Sequence, residues 1–247
     1  MGKFKELFAA KDMTEGTPWK RIVEFAVPML IGNVAQQFYN TADSIIVGRY
    51  IGDNALAAVG SAGPVLHLIF ILFMGIATGA GIMVSQYFGA KDRERLSRTI
   101  GVCITLTAIG SLIIMVLGPL ITRPLLNFLN TPNSIIDWCE DYLIIFFLGS
   151  LGLAYYNILS GILRGLGDSV TALVFLLIST AINVVLDIWF VASFNMGVPG
   201  VALATVIAQG ISAILCMLKL MRMKEAFDLN LKMLVPLKEY SFRLIKL

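Results

Sequence analysis

The chain has 247 residues, 57% of them hydrophobic and only 14% charged, with a mean hydropathy of +0.83. That balance excludes an ordinary soluble domain and indicates a membrane protein. A net charge of +3 gives no reason to invoke nucleic acid, and three cysteines without a C-x-x-C pattern indicate neither a zinc site nor a disulfide framework.

Windows of about 19 residues predict six membrane-spanning helices, near 22–47, 56–87, 99–121, 137–162, 170–192 and 199–220. The connections at 48–54 and 193–198 are too short for soluble domains, so 18–220 reads as one compact helical bundle. It is flanked by a tail at 1–17 and a basic amphipathic tail at 221–247, where Leu237, Tyr240, Leu244 and Leu247 fall at helical spacing. The first span is too long for a signal-peptide core and no small-residue cleavage site follows it. Placing both termini in the cytoplasm leaves only Arg49 and Arg123, of 19 Lys and Arg, on the outer side. Such a bias predicts that orientation in a multi-pass protein of the cell membrane.

In chain order, the first span carries "NVAQQFYNTADS", which sets Asn33, Gln36, Gln37, Asn40, Asp43 and Ser44 on one stripe of the helix. Tyr39 lies one turn before Asp43, in reach of a hydrogen bond to it. The second span holds the only histidine, His67, open to two readings, a proton carrier or the more ordinary hydrogen bond between helices, and a G-x-x-x-G pair, Gly75 and Gly79, suited to close packing. Cys103, Cys139 and Cys216 read as packing residues. The fifth span places Asn183 and Asp187 four apart on one face, and the sixth repeats small residues at Gly200, Ala204, Ala208 and Ser212, with Thr205 and Gln209 among them.

Only Asp43 and Asp187, among 16 acidic residues, lie well inside apolar sequence. An aspartate at a helix centre costs roughly 2.5–3.5 kcal/mol on insertion scales. Two carboxylates held close together in such a setting cannot both stay charged without a cation, so the pair is suited to take up a proton or a hard cation such as Na⁺. Asn183 and Thr205 would add neutral oxygen ligands.

"VPMLIGNVAQQFYNTADSIIVGRYIGDNALAAVG", followed by "RGLGDS", "INVVLD" and "GVALATVIAQ", resembles the amino-terminal half of a multidrug and toxic compound extrusion family transporter. The resemblance implies an all-α fold of six transmembrane helices forming one lobe of a two-lobe, twelve-helix transporter. It also implies export of amphipathic, mostly cationic compounds in exchange for H⁺ or Na⁺, with no other cofactor and no enzymatic activity. Asp43, Asn183, Asp187 and Thr205 match the family's ion-coupling positions. Gln36 and Tyr39 match further polar positions on the first helix, where Asn33 and Asn40 extend the same cavity-facing stripe. Pro28 matches a proline at which bending has been proposed. The sequence stops where the family continues into a seventh helix, so the expected partner is a second six-helix lobe or a second copy of the chain.

Three rival readings are open to test. An intramembrane aspartyl protease would use the "GLGD" at 165–168, but Asp168 falls in a predicted cytoplasmic turn. A flippase for a lipid-linked saccharide would want several cations in its cavity, where the sequence suggests acids and no Lys or Arg. A non-transporting subunit would only associate with other membrane proteins.

Overall fold

The computed structural model describes residues 17–223 and 226–228, and the regular structure among them is helical. The helices are α1 (Pro18–Tyr50), α2 (Asp53–Gly89), α3 (Arg93–Phe128), α4 (Ile136–Leu148), α5 (Ser150–Gly165), α6 (Ser169–Ile188) and α7 (Gly197–Arg222). A π-helical turn, Trp189–Ser193, extends α6. The spacing of Leu237, Tyr240, Leu244 and Leu247 lies outside the described residues, as does nearly all of the predicted amino-terminal tail.

Local chemistry sets the ends. Pro18 opens α1 at a position whose N–H has no helical partner anyway. Asp92 caps α3 by accepting the Arg95 N–H at 3.0 Å. Gly167, at φ 81°, closes α5 in the left-handed conformation that turns the following Asp168 N–H back onto the Leu163 carbonyl at 2.9 Å.

Six uniformly apolar spans are not what these helices make. α2, α3, α7 and α6 with its π turn are each long and apolar enough to cross a membrane, and α4 with α5 qualifies as a fifth span only when the two are taken together. α1, with 33 residues, is long enough but not among the apolar set, because its stripe of amides and an acid offsets its aliphatic face. The fourth predicted span is broken at Gly149, where α4 and α5 meet at 55°. The reason is a close approach: a Cβ on Gly149 would sit 2.3 Å from the Val206 side chain of α7.

α2 packs on α5, α5 and α6 on α7, α1 on α6, and α3 on α4 and α5. The predicted small-residue stripe of α7 is buried along its length, at Gly200, Ala204, Ala208 and Ser212. The α2 seam differs from expectation. Gly75 is exposed, and the backbone contact with α5 is made one position pair further on, by Ala77 and Gly81 against Gly161 and Gly165. A Cβ on Gly165 would lie 2.6 Å from the Gly81 carbonyl oxygen, which explains why both helices carry glycine there. All three cysteines are buried and unpaired.

Val206 is β-branched and cannot swing away from a new methyl group, so Gly149→Ala is expected to destabilise the bundle by about 1–3 kcal/mol. Adding Val206→Ala should restore most of that loss in a detergent thermal-unfolding assay; a single variant as stable as wild type would show that the bend does not depend on this contact.

Candidate functional site

The site is built where α6 lies between α1 and α7. α6 buries Asn183 and Asp187 completely, and α7 sets Thr205 against them. The Thr205 hydroxyl accepts hydrogen bonds from the Tyr39 hydroxyl at 2.9 Å and from the Asn183 carboxamide nitrogen at 3.2 Å. It donates its own hydrogen to the Val201 carbonyl at 3.1 Å. A hydroxyl has one hydrogen and two lone pairs, so this one is fully used. Tyr39 reaches across to α7 with its hydroxyl still beside the Asp43 carboxyl on its own helix. As arranged, Thr205 holds Tyr39 and Asn183 in place.

The unused acceptors lie next to it. Asp43 Oδ1, Asn183 Oδ1 and both Asp187 carboxylate oxygens are buried with no hydrogen bond among the described residues. The Asp187 carboxyl lies against that of Asp43 and against the Asn183 carboxamide. Two ionised carboxylates offer each other only acceptors, so they can share a hydrogen bond only when one holds a proton, or a cation when both are charged. Four unpartnered oxygens from a carboxylate pair and an amide are a donor set that fits a proton or a hard monovalent cation.

Asp43 also faces a cavity of about 500 Å³. Along α1 this cavity is lined by Pro28, Asn33, Gln36, Tyr39, Asn40 and Asp43, with α1 helical throughout and unbroken at Pro28. Asn183 and Asp187 do not line it; they sit behind Asp43, Tyr39 and Thr205, which do. Gln37, assigned to the same stripe, is exposed outside the cavity and accepts a hydrogen bond from the Asn40 amide at 3.4 Å.

Several lining residues were not foreseen. Tyr142 and Phe146 of α4, one turn apart with ring centroids at 4.9 Å, form a wall within electrostatic reach of both aspartates. From α5 come Asn157, Ser160 and Arg164, whose i, i+3, i+7 spacing in "NILSGILR" is a legible helical stripe. Arg164 overturns the expectation that the interior holds no cation. His67 is exposed on the cavity wall and makes no hydrogen bond between helices among the described residues. Gln209 also lines the cavity, buried, with its carbonyl oxygen unpartnered. Asp168 of the "GLGD" sequence is a helix cap, accepting from the Thr171 N–H and hydroxyl at 3.0 and 2.7 Å and pairing with Lys219 at 3.1 Å. That leaves it no role as half of a catalytic dyad.

The MatE family model matches residues 28–189, which include Pro28, Asp43, Asn183 and Asp187. The chain belongs to the MatE family. It is 33% identical over 203 residues to the probable multidrug resistance protein YpnP of Bacillus subtilis (strain 168), covering 82% of this chain and 46% of that protein. It also resembles a solved outward-facing conformation of a multidrug resistance MATE family transporter, with a TM-score of 0.88 and 27% identity over 94% of this chain and 51% of that one. For an inward-facing conformation described in the same terms the TM-score is 0.81, at 26% identity over 92% of this chain and 51% of that one. The chain thus spans about half the length of the MatE relatives it matches, and it is a multi-pass membrane protein with their fold.

Thr205→Val keeps the shape but leaves the Tyr39 hydroxyl and Asn183 amide without an acceptor. A loss of about 1–2 kcal/mol in thermal stability is expected, whereas Thr205→Ser should stay near wild type. Equal melting of all three proteins would remove Thr205 from its positioning role.

Proposed function

We propose that the chain is the amino-terminal six-helix lobe of an H⁺- or Na⁺-coupled antiporter that exports amphipathic, mostly cationic compounds across the cell membrane. In this reading both termini are cytoplasmic, α4 and α5 count as one bent span and α1 as the polar one. The second lobe comes from further sequence or from a second copy. What carries the reading is the double membership of Asp43: the same carboxyl group belongs to a buried acid pair and to the wall of a cavity large enough for an organic molecule. The relatives named for multidrug resistance support the substrate class.

Asp43 and Asp187 take up the coupling ion, Asn183 supplies a further oxygen, and Thr205 orients Asn183 and Tyr39. Gln36, Asn33 and Asn40 present amides to the exported compound, and Tyr39 forms the partition between the two compartments. An ion entering the pair removes negative charge from Asp43, so a cationic compound in the cavity loses its counter-charge and leaves. Pro28, whose ring removes one backbone hydrogen bond from α1, is the point at which that helix bends as the site empties and fills. The exchange between sides follows from rocking of two lobes around a site that stays in this one. A flippase for lipid-linked saccharides fits less well, because one arginine in the cavity falls short of the cluster a pyrophosphate would need.

In proteoliposomes containing the protein with its second lobe, Asp187→Asn is expected to abolish gradient-driven efflux of a lipophilic cationic dye while insertion stays normal. Full efflux by that variant at equal incorporation would refute the assignment. Raising Na⁺ at constant ionic strength and pH should raise the melting temperature of the wild-type chain and leave Asp43→Asn unmoved if Na⁺ is the coupling ion. A response to pH alone identifies H⁺.

A further inference from the structure

We propose that the corner where α2 turns into α3 is a seat for the chain that follows α7. Phe227 and Asp228 close onto this seat as a strap, so that the chain beyond Asp228 leaves the lobe from α3 instead of from the end of α7. The seat begins with the turn itself. Lys91, at φ 57°, takes the left-handed conformation that returns its own N–H to the Phe88 carbonyl and the Asp92 N–H to the Tyr87 carbonyl, both at 3.0 Å. With Asp92 as its cap, α3 starts at once, and Arg93, Leu96 and Ser97 share one face of its opening turns.

The segment "KLMRMKEAFD" carries Phe227 among polar and basic residues, yet Phe227 keeps only 2% of its surface. It belongs to a buried cluster with Leu96 and Ile100 of α3 and Leu220 of α7, against which Tyr87 and Phe88 of α2 pack. A continuing helix does not put it there: α7 ends at Arg222, and the Ala226 N–H closes a turn on the Met223 carbonyl at 3.0 Å. Two polar contacts fix the register. The Ser97 hydroxyl donates to the Arg93 carbonyl at 2.8 Å and accepts the Asp228 N–H at 2.9 Å. The Arg93 guanidinium pairs with the Asp228 carboxylate at 3.0 Å, beside the opening turns of α3, where a negative charge is favoured.

These contacts differ in strength. The side chains of the ion pair are 50% and 56% exposed, so water and salt screen it and it contributes little. The buried aromatic ring dominates, with the hydrogen bond to Ser97 between the two. On its other flank α7 is held by Lys219, which pairs at 3.1 Å with the buried Asp168 at the start of α6. The end of α7 is thus tied to α6 directly and to α3 through the strap. In the two-lobe reading, on which this consequence alone rests, a pull on the chain beyond Asp228 acts on α2 and α3 together with α7, and the lobe rocks as one body.

The strap is tested by hydrogen exchange at the Asp228 amide of the full chain in lipid nanodiscs, resolved by electron-transfer fragmentation of the peptide that contains it. In the wild type that amide should exchange far more slowly than in an open chain. Phe227→Ala should speed it about tenfold to a hundredfold, the loss of one buried aromatic ring, whereas Arg93→Gln should speed it less than about fivefold. Wild-type exchange at the open-chain rate, or Phe227→Ala without effect, would overturn the strap. In proteoliposomes of the protein with its second lobe, Phe227→Ala should lower the maximal rate of dye efflux severalfold and leave the half-saturating dye concentration unchanged, since Phe227 does not line the cavity. An unchanged maximal rate with the Asp228 amide open to exchange would overturn the strap's part in rocking. Absence of efflux in the wild type as well would refute the transport reading and leave the strap standing on its exchange result.

Discussion

Asp187 has no exposed surface, and neither of its carboxylate oxygens is hydrogen-bonded among the described residues. In a low-dielectric bundle that combination is tolerable only if something from outside the lobe neutralises the group, because an isolated buried carboxylate is far too costly to maintain. The neighbouring arrangement follows from this need. Asn183 sits one turn before Asp187 on α6, Thr205 fixes the Asn183 amide from α7, and Tyr39 closes the layer from α1. These groups satisfy each other, which leaves the unsatisfied oxygens gathered at one point instead of scattered through the core. The small residues of α7 serve the same end, since Ala204 and Ala208 on either side of Thr205 let α6 and α5 approach closely enough for side chains as short as Thr and Asn to meet.

The separation of the acid pair from the larger cavity gives the lobe its logic. Asp187 is walled off and Asp43 is not, so in the proposed reading an ion held mainly by the inner carboxylate would be felt in the cavity through the outer one. Coupling of this kind needs no long pathway. It needs two ligands that both depend on the charge of Asp43, and it is reciprocal: a bound cationic compound weakens ion uptake by the same factor that ion uptake weakens the compound.

Much of this was legible in the sequence because acids are rare inside apolar helices. Asp43, Asn183 and Asp187 stood out by cost alone, and helical spacing put Asn183 and Asp187 on one face. The positions of α2, α3, α6 and α7 were equally plain, since lipid demands long apolar runs. What the sequence hid was decided between helices. That Tyr39 bonds Thr205 on another helix while lying beside Asp43 on its own depends on how α1 lies against α7, which no periodicity in α1 encodes. Gly75 and Gly79 had the spacing of a packing motif, but the facing glycines of α5, Gly161 and Gly165, select Ala77 and Gly81 as the contact. The break at Gly149 was invisible because a glycine in an apolar run signals nothing until Val206 is known to press on it. Arg164 was counted with the cytoplasmic charges because it lies near a turn, although its i, i+7 relation to Asn157 already put both on one face of α5.

The energetics of exchange set how much such a site must do. One charge moved through 100 mV supplies about 2.3 kcal/mol, enough for roughly a 40-fold gradient of an uncharged compound at 1.4 kcal/mol per decade. A monovalent cation exported against the same potential consumes that electrical contribution in full, so with one coupled ion only the ion's concentration gradient remains to drive export. A compound with no net charge leaves the electrical term intact.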